Sequence, residues 1–513
     1  MLCRTYCASC IGIEAITVTV EVDVSQGISF YLVGLPDNAV RESQQRISTA
    51  LHTLDAKIPG KRITVNLAPA DIKKEGSAFD LPIAIGILAA SGQYKFTSLS
   101  RYLMMGELAL DGSLRAVPGA LAVAIHAAKE SFDACIFPID SAYEACEASQ
   151  IEIYGVKNLK EVISILSGEG EIKAIKPEVD YSINEKALAN NLSPDQRGIP
   201  DFAHIKGQEY IKRGLEIAAA GGHNALMCGS PGSGKSLMAR AFPGILPFME
   251  REEAIETGMI YSVSGKKNGT FGLMKERPFR APHYSSSAIS IIGGGVRAVP
   301  GEISLAHNGV LYLDELPEFS PKLLEMLRQP LEDKVVSISR IRYQVTYPCN
   351  FMLIASMNPC PCGYYGVPGD RCTCMPYAIT RYRSRVSGPL MDRIDIHLSV
   401  QPVTQENLLS ESVAESSDSI KQRVIDARTI QKNRYENSCY TNSQMTPVQI
   451  REYCKLEESG KKLLSSAISK LGLSARGYSK ILKVARTIAD LQGCPSILSS
   501  HLAEAIQYRA ETI

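Results

Sequence analysis

The first 168 residues combine strand-like and helix-like patterns of apolar positions. In residues 16–24 every second side chain is apolar, and residues 29–33 form another apolar run, so we predict a β-hairpin between these two segments. Further strands are predicted at residues 62–67 and 134–137, and helices at residues 37–54, 81–90, 120–129 and 159–166. This mixture predicts one α/β domain over residues 1–168.

The spacing of apolar positions also divides the rest of the chain into segments. Residues 169–200 lack a clear period and are rich in charged residues, Asn, Ser and Pro, which is typical of a linker. Residues 201–402 alternate strand and helix patterns. Residues 403–513 contain helical patterns, at 418–436, 446–471 and 478–491, but no convincing strand. We therefore predict an α/β multidomain protein whose last domain is all-helical.

Composition narrows the class of protein. The chain has 513 residues, 45% hydrophobic and 21% charged, which is ordinary for globular domains. It contains no run of about eighteen apolar residues and no signal-peptide pattern, so we expect a cytoplasmic protein without a membrane span. The net charge of +1 gives no indication for or against nucleic acid. Any DNA site must therefore be a local basic patch.

A glycine-rich loop predicts phosphate binding. Residues 225–228 are a short apolar run, and residues 237–242 have a helical pattern, so the intervening loop has the strand–loop–helix context of a P-loop. Lys235 is expected to reach the outer phosphates of ATP, and the Ser236 hydroxyl to ligate Mg²⁺. The predicted nucleotide-binding residues are Gly229, Ser230, Pro231, Gly232, Ser233, Gly234, Lys235 and Ser236.

Polar residues follow two other apolar runs. Asp314 and Glu315 end the run 310–313, and adjacent buried acids are costly unless they serve a cation. We expect Asp314 to hold Mg²⁺ and Glu315 to polarise the attacking water. Asn358 follows the run 350–355 and is expected to orient that water.

Four cysteines fall within fifteen residues. Cys360, Cys362, Cys372 and Cys374 form two Cys-x-Cys pairs on a Gly/Pro-rich loop and could close a tetrahedral Zn²⁺ site. Two redox disulfides or free thiols are the alternatives. The neighbouring basic residues could contact either DNA or an adjacent subunit; they are Arg371, Arg381, Arg383 and Arg385.

The longer motifs resemble a known family. Residues 300–315 and 387–395 resemble the magnesium-chelatase-like branch of the AAA+ ATPases, and nearly the whole chain, including residues 473–478, resembles its competence-associated ComM/YifB-type subfamily. This resemblance implies that Arg393 is an arginine finger reaching a neighbour's nucleotide and that Arg476 is the second sensor. A finger used in trans implies a ring, a homo-hexamer.

Two insertions also resemble this branch. Residues 279–302 resemble the insertion in the second core helix, and residues 334–348 resemble a hairpin that faces the central pore of related rings. The resemblance makes Arg340 and Arg342, at the hairpin tip, candidates for contacting the DNA backbone, which requires positive charge and no base readout.

The N-terminal segment resembles a Lon-protease-like domain of ribosomal-protein-S5-like fold in residues 70–82 and 106–115. A Lon-type peptidase needs a serine nucleophile and a lysine base. Ser77 falls one place early in the motif, and Lys129 lies too far along the helix that should carry the lysine. We therefore predict no peptidase activity.

Taken with the resemblance, these features favour an ATP-driven ring motor that promotes branch migration of branched or single-stranded DNA intermediates, with recombination proteins as possible partners. The alternative is a chelatase-like or chaperone-like motor that remodels a partner protein. The Lon-like domain favours the DNA-directed function, because the chelatase motor subunit lacks that domain.

Overall fold

The computed structural model describes residues 1–54, 56–146, 150–169, 173–176, 198–266, 273–295, 298–339, 344–367, 371–402, 414–435 and 440–510. The chain forms two compact units, one of residues 1–182 with 254–274 and the other of residues 183–253 with 275–513. The segment 254–274 therefore belongs to the first unit, although it follows the P-loop in sequence.

The first unit is built on a mixed seven-stranded sheet. Its strand order is β3-β4-β2-β1-β5-β8-β9. Strand β2 is antiparallel to both of its neighbours, β1 and β4. The pairs β3–β4, β1–β5, β5–β8 and β8–β9 are parallel. The strands are β1 Leu2–Ile11, β2 Glu14–Ser25, β3 Ser29–Val33, β4 Arg62–Ala68, β5 Tyr102–Met104, β8 Ala134–Pro138 and β9 Glu152–Val156, with a separate ribbon of β6 Glu107–Leu108 and β7 Leu114–Arg115.

Two apolar helices cover β1 and β2. Helix Asp80–Ala90 is buried along almost its whole length, and helix Ala120–Lys129 packs beside it. Gly86 allows the close approach, because a Cβ there would lie 2.6 Å from Cγ2 of Val22. The remaining helices of this unit are Asn38–Arg41, Ser43–His52, Ile139–Cys146, Leu159–Ser167 and most of Arg251–Ser264.

The hairpin predicted between residues 16–24 and 29–33 is wrong. Strand β2 pairs with β1, across a tight turn at Gly12 with φ +66°, and β3 pairs in parallel with β4. The sequence analysis missed β1 because its Cys, Thr, Ala and Ser residues give a weak apolar alternation.

The second unit contains a five-stranded, all-parallel sheet. Its order is β11-β14-β17-β10-β18, so that β10 lies between β17 and β18. Because parallel strands end at the same edge, the loops after β10, β14 and β17 meet there. The strands are β10 Ala225–Gly229, β11 Phe279–Arg280, β14 Val310–Leu313, β17 Met352–Met357 and β18 Ile396–Val400.

Helices and two small ribbons surround this sheet. The ribbons are β12 Gly293–Gly294 with β13 Val299–Pro300, and β15 Val335–Ser339 with β16 Gln344–Pro348. The helices described in residues 198–250 and 275–402 are Glu209–Gly221, Lys235–Ala241, Ala288–Ile292, Glu302–Leu305, Pro321–Met326, Arg328–Asp333, Pro376–Arg383 and Gly388–Met391, with 3₁₀ turns at Phe202–His204, Phe242–Ile245 and Leu316–Glu318.

The C-terminal part, as far as residues 414–435 and 440–510 describe it, is helical. Its helices are Ser417–Tyr435, Pro447–Tyr453, Glu458–Leu471, Ala475–Leu491 and Ser499–Ala510, with a 3₁₀ turn at Asn442–Gln444. The single helix predicted over residues 446–471 is two helices. The first begins with a Thr446–Gln449 capping box and ends at Cys454, whose ψ of +43° is not helical.

In the part of the chain that the structure describes, no helix has both the length and the apolar character that crossing a bilayer requires.

Candidate nucleotide site and four-cysteine loop

The P-loop follows β10 and leads directly into helix Lys235–Ala241. Gly232 and Gly234 have φ values of +75° and +90°, a conformation that side chains with a Cβ disfavour. Gly229 is required for packing, because a Cβ there would lie 2.3 Å from the carbonyl oxygen of Val400 on the adjacent strand. Such a loop directs main-chain N–H groups toward one point at a helix N-terminus, which is an arrangement that binds phosphate.

Lys235 lies within this loop and is largely buried. Its Nζ donates to the carbonyl oxygens of Gly229 at 2.7 Å and Ser230 at 2.8 Å, and to Oδ1 of Asn358 at 3.3 Å. Burial lowers the pKa of Lys235, while nearby acidic groups, Asp314 and Glu315 among them, act in the opposite direction. The structure thus brings together three of the predicted residues, Lys235, Asn358 and Asp314.

Asp314 is held by hydroxyl groups. Ser236 Oγ donates to its Oδ2 at 2.9 Å, and Ser356 Oγ donates to its Oδ1. Burial alone would raise the pKa of Asp314, but these hydrogen bonds lower it below the ordinary value. The carboxylate is therefore ionised and adjacent to the Ser236 hydroxyl, as a shared Mg²⁺ site requires.

Glu315 differs from Asp314 in its surroundings. Its side chain is exposed, and its backbone has φ +53°, in the left-handed region. For a residue other than glycine, such a conformation costs about 1–3 kcal/mol and is found preferentially at functional sites. Glu315 lies directly after β14, at the start of the 3₁₀ turn Leu316–Glu318.

The two arginines singled out by the family resemblance meet at a glutamate. Arg393 pairs with Glu332 and donates to the carbonyl oxygens of Arg328 at 3.1 Å and Pro389 at 2.7 Å. Arg476 Nη2 lies 3.2 Å from Oε1 of the same Glu332. Among the described residues, neither arginine forms a hydrogen bond or ion pair with the P-loop of its own chain.

Three residues that form contacts in this region were not predicted from the sequence. Glu332 lies on helix Arg328–Asp333, and no motif marks it. Ser356 is a small polar residue within an apolar strand, and it reaches Asp314 because β14 and β17 pair in parallel with Leu313 opposite Ala355. Asp395, which is 10% exposed, pairs with Lys480 at 2.7 Å and thereby joins the start of β18 to helix Ala475–Leu491.

The four cysteines form one cluster. Their Sγ atoms all lie within 4.8 Å of one another, and those of Cys360, Cys362 and Cys372 are 3.3–3.7 Å apart. Thiolates around tetrahedral Zn²⁺ at about 2.3 Å would be roughly 3.8 Å apart, so the donor set fits such an ion. The main-chain N–H of Tyr364 lowers the pKa of Cys362 to about 6, whereas desolvation and hydrogen bonds to the neighbouring sulfurs raise the pKa of Cys372 and Cys374. Without a metal, Cys362 is therefore the cysteine of the three that most readily forms a thiolate.

This loop packs against the P-loop. A Cβ on Gly363, whose φ is +85°, would lie 2.5 Å from Cδ of Pro231. Cys360 is fully buried, and the main-chain N–H of Tyr365 donates to its Sγ at 3.3 Å. The four-cysteine loop therefore supports one side of the nucleotide loop.

The four arginines near the cluster divide into two pairs. Arg385 binds Glu318 at 2.9 Å, and Arg383 donates to the carbonyl oxygen of Pro359 at 3.1 Å while its guanidinium lies over the ring of Tyr365. Arg371 and Arg381 are exposed and have no acidic partner among the described residues. The free positive charge is thus concentrated at two positions.

The tip of ribbon β15–β16 carries Arg340 and Arg342, and both lie outside the described residues. The ribbon itself is regular up to the pair Ser339–Gln344.

In the first unit, Ser77 and Lys129, the residues compared with the serine and lysine of a Lon-type dyad, lie in different surroundings. Ser77 Oγ donates to Glu107, which also pairs with Arg115 at 3.4 Å. Lys129 is exposed at the last position of its helix. Lys74 is fully buried, and its ammonium donates to the main-chain carbonyl oxygen of Ile72 at 2.7 Å.

A P-loop on a parallel sheet, with an asparagine after the adjacent strand β17 and a carboxylate pair after the next strand, β14, defines an AAA+-type P-loop ATPase. Models of the magnesium chelatase family match along the chain: "Magnesium chelatase, subunit ChlI" at residues 201–408, "Subunit ChlI of Mg-chelatase" at residues 20–141 and "Magnesium chelatase, subunit ChlI C-terminal" at residues 414–509. The chain belongs to the ComM/YifB group of this magnesium-chelatase-like family.

The relatives match over their whole length. The chain is 44% identical to "Competence protein ComM" of Haemophilus influenzae, covering 99% of this chain and 97% of the relative. It is 42% identical to the uncharacterized protein YifB of Escherichia coli, covering 98% and 95%. An uncharacterized protein of Mycobacterium tuberculosis is 34% identical, covering 99% and 98%.

Proposed function

We propose that this protein is an ATP-hydrolysing ring motor that acts on DNA and promotes branch migration of recombination intermediates. The observation that carries the ATPase part is the contact set of Lys235, Ser236 and Asp314, in which a cation, a hydroxyl and an ionised carboxylate surround one P-loop.

Each residue has a separate role in this proposal. Lys235 exchanges its carbonyl acceptors for the phosphate oxygens of ATP. Ser236 and Asp314 would hold Mg²⁺, which would neutralise charge on the phosphates. Asn358 orients a water molecule and Glu315 accepts its proton as the water oxygen attacks the γ-phosphorus. The bond to the bridging oxygen breaks, and ADP and phosphate leave.

We propose that the site is completed by a second copy of the chain in a homo-hexamer. Arg393 and Arg476 contact Glu332 rather than their own P-loop, as described above, so they are available to a neighbour's nucleotide. A guanidinium delivered in trans stabilises charge on the transferring phosphoryl group.

The DNA-directed part rests on the surface of the four-cysteine loop. Arg371 and Arg381 lie on the same segment as three exposed nonpolar side chains, Tyr365 at 48%, Met375 at 75% and Tyr377 at 75% exposure. Arginines together with exposed aromatic rings are typical of surfaces that bind single-stranded nucleic acid, where the rings stack on bases. The relative named for competence supports the same choice.

We also propose roles for the segments of the chain outside the nucleotide site. We propose that residues 1–168 form an S5-type, Lon-like domain without peptidase activity, residues 169–200 a linker, residues 201–402 the AAA+ core and residues 403–513 a helical lid. Structural Zn²⁺ held by the four cysteines would order the loop without taking part in hydrolysis. Arg340 and Arg342 are further candidates for contacting DNA.

A motor that remodels a partner protein is the second candidate. It is favoured by the matches to magnesium chelatase subunit models along most of the chain. Such a motor would not need the exposed arginines of the four-cysteine loop to act on DNA.

A branch-migration assay distinguishes a motor that acts on DNA from one that remodels a partner protein. Purified protein is given ATP and a synthetic junction with one fluorescent strand, and release of that strand is followed. We expect release by the parent chain and at least tenfold slower release by Arg371→Ala/Arg381→Ala. The control Arg451→Ala/Lys461→Ala removes two exposed charges from the C-terminal helices and should release the strand at the parent rate. Failure of the parent chain to release any strand would favour the protein-directed motor.

A further inference from the structure

A polar cleft lies at the opposite edge of the parallel sheet from the P-loop. It is bordered by Gly309 and Met352, next to the starts of β14 and β17, and by residues 441–444 from the C-terminal helical part. The cleft opens to solvent, and its enclosed volume of about 40 Å³ has room for a few water molecules or one compact anion. Nothing in the ATPase mechanism uses it.

Two arginines and one glutamate supply the charge. Arg277 binds Glu253 with two parallel bonds, of 3.0 and 2.7 Å, and both side chains are 8% exposed. Arg277 also donates to the carbonyl oxygens of Pro247 at 2.9 Å and Asn308 at 2.8 Å. This pair is therefore neutral and its members are largely occupied by one another.

Arg428 is the remaining cation. Its Nε and Nη2 donate to the carbonyl oxygen of Ala219 at 3.1 and 2.7 Å, and no carboxylate forms an ion pair with it among the described residues. Burial and the nearby Arg277 lower the pKa of Arg428 to about 9, so it is still charged at neutral pH. The cleft thus carries a net positive charge on a guanidinium with donors to spare.

Neutral polar groups also line the cleft. The hydroxyl oxygens of Thr441 and Ser443 lie 3.2 Å apart, beside Gly222, where a Cβ would come within 2.6 Å of Thr441 Oγ1. The Gln444 amide donates to Oδ1 of Asn350 at 3.1 Å. Hydroxyl groups and a guanidinium that line the same cleft can donate to the acceptor oxygens of a tetrahedral oxyanion.

We propose that this cleft binds a phosphate group, held by the guanidinium of Arg428 and the hydroxyls of Thr441 and Ser443. The site joins the helix Glu209–Gly221 to the first helix of the C-terminal part, because Arg428 lies on Ser417–Tyr435 and donates to the carbonyl oxygen of Ala219. The phosphate group is either free orthophosphate or the 5′-phosphate of a mononucleotide, which share this chemistry.

The test is calorimetric titration of the full chain carrying Lys235→Ala, which removes the phosphate-binding lysine of the P-loop. Inorganic phosphate and adenosine 5′-monophosphate are titrated separately, without magnesium. We expect one saturable site per chain for at least one of them, and at least tenfold weaker binding after Arg428→Gln. If inorganic phosphate binds as tightly as adenosine 5′-monophosphate, the ligand of the cleft is free orthophosphate.

Two further variants keep the proposal testable should Arg428→Gln disturb the fold. Ser443→Ala removes a single hydroxyl and should weaken binding severalfold with unchanged thermal unfolding. Arg423→Gln, on the same helix but outside the cleft, should bind as the parent does. Absence of saturable binding for both titrants, or equal affinity in the parent, Arg428→Gln and Ser443→Ala, would overturn the proposal.

Discussion

Arg393 and Arg476 contact opposite oxygens of one carboxylate, that of Glu332. The first arginine comes from the loop before β18 and the second from the first turn of helix Ala475–Leu491, 83 positions later in the chain. Because both reach the same carboxylate, they belong to one surface. The proposed arginine finger and second sensor should therefore serve the same nucleotide.

Mixing of inactive variants tests this relationship. Arg393→Ala and Arg476→Ala should each lower ATP turnover, by about 10³-fold for a finger arginine. Adding Lys235→Ala subunits to either variant should restore turnover, since the added subunits supply both arginines to a neighbour with an intact P-loop. Recovery for Arg393→Ala without recovery for Arg476→Ala would mean that Arg476 acts within its own chain.

Ser356 should tune the magnesium site. Its hydroxyl donates to Asp314 and accepts from Tyr312 at 3.1 Å, so Ser356→Ala removes a bond that keeps Asp314 ionised and oriented. One such bond is worth about 1 kcal/mol, and we expect the magnesium concentration for half-maximal turnover to rise roughly fivefold. Ser356→Thr keeps the hydroxyl and serves as the control. An unchanged magnesium requirement in Ser356→Ala would contradict this role.

The sequence predicted the strands Ala225–Gly229 and Val310–Leu313 and the helix Ala120–Lys129 to within one residue, because each is a local pattern of apolar spacing. It could not reveal Ser356 or Glu332. Ser356 matters only through the register of β14 against β17, and Glu332 only through two arginines distant in sequence. The missing strand β1 led to the wrong hairpin for a similar reason, since pairing partners are chosen by the whole sheet.

The four-cysteine loop should connect metal binding to nucleotide binding. Purified protein should carry about one zinc ion per chain, and Cys372→Ser should lose most of it. Because Gly363 packs on Pro231, we expect the same substitution to weaken ADP binding severalfold. Cys494→Ser changes a free cysteine outside the cluster and should alter neither property. Metal-free parent protein with full nucleotide affinity would contradict the connection.

A buried histidine should make stability depend on pH. Burial, with help from Arg509 and Lys480, lowers the pKa of His397 from 6.5 to about 4. Below pH 6.5 the unfolded chain takes up a proton that the folded chain accepts only near pH 4, so this contribution to stability is present above pH 6.5 and is lost as the pH falls toward 4.

The free energy of unfolding of the second unit, from urea titrations, should fall by about 2 kcal/mol through this group between pH 7 and pH 5. His397→Gln should show a correspondingly smaller decrease over that interval. His52→Gln, at an exposed position, should follow the parent chain. Equal decreases in all three proteins would show that His397 takes no part.

The most direct measurement is ATP turnover by the purified protein, alone and with a four-way DNA junction, a linear duplex or a single strand. We predict turnover that DNA stimulates, most strongly with the junction, and that is abolished in Lys235→Ala and Glu315→Gln. Turnover that is indifferent to every DNA, or that persists in both variants, would contradict the proposed DNA motor and its assigned site.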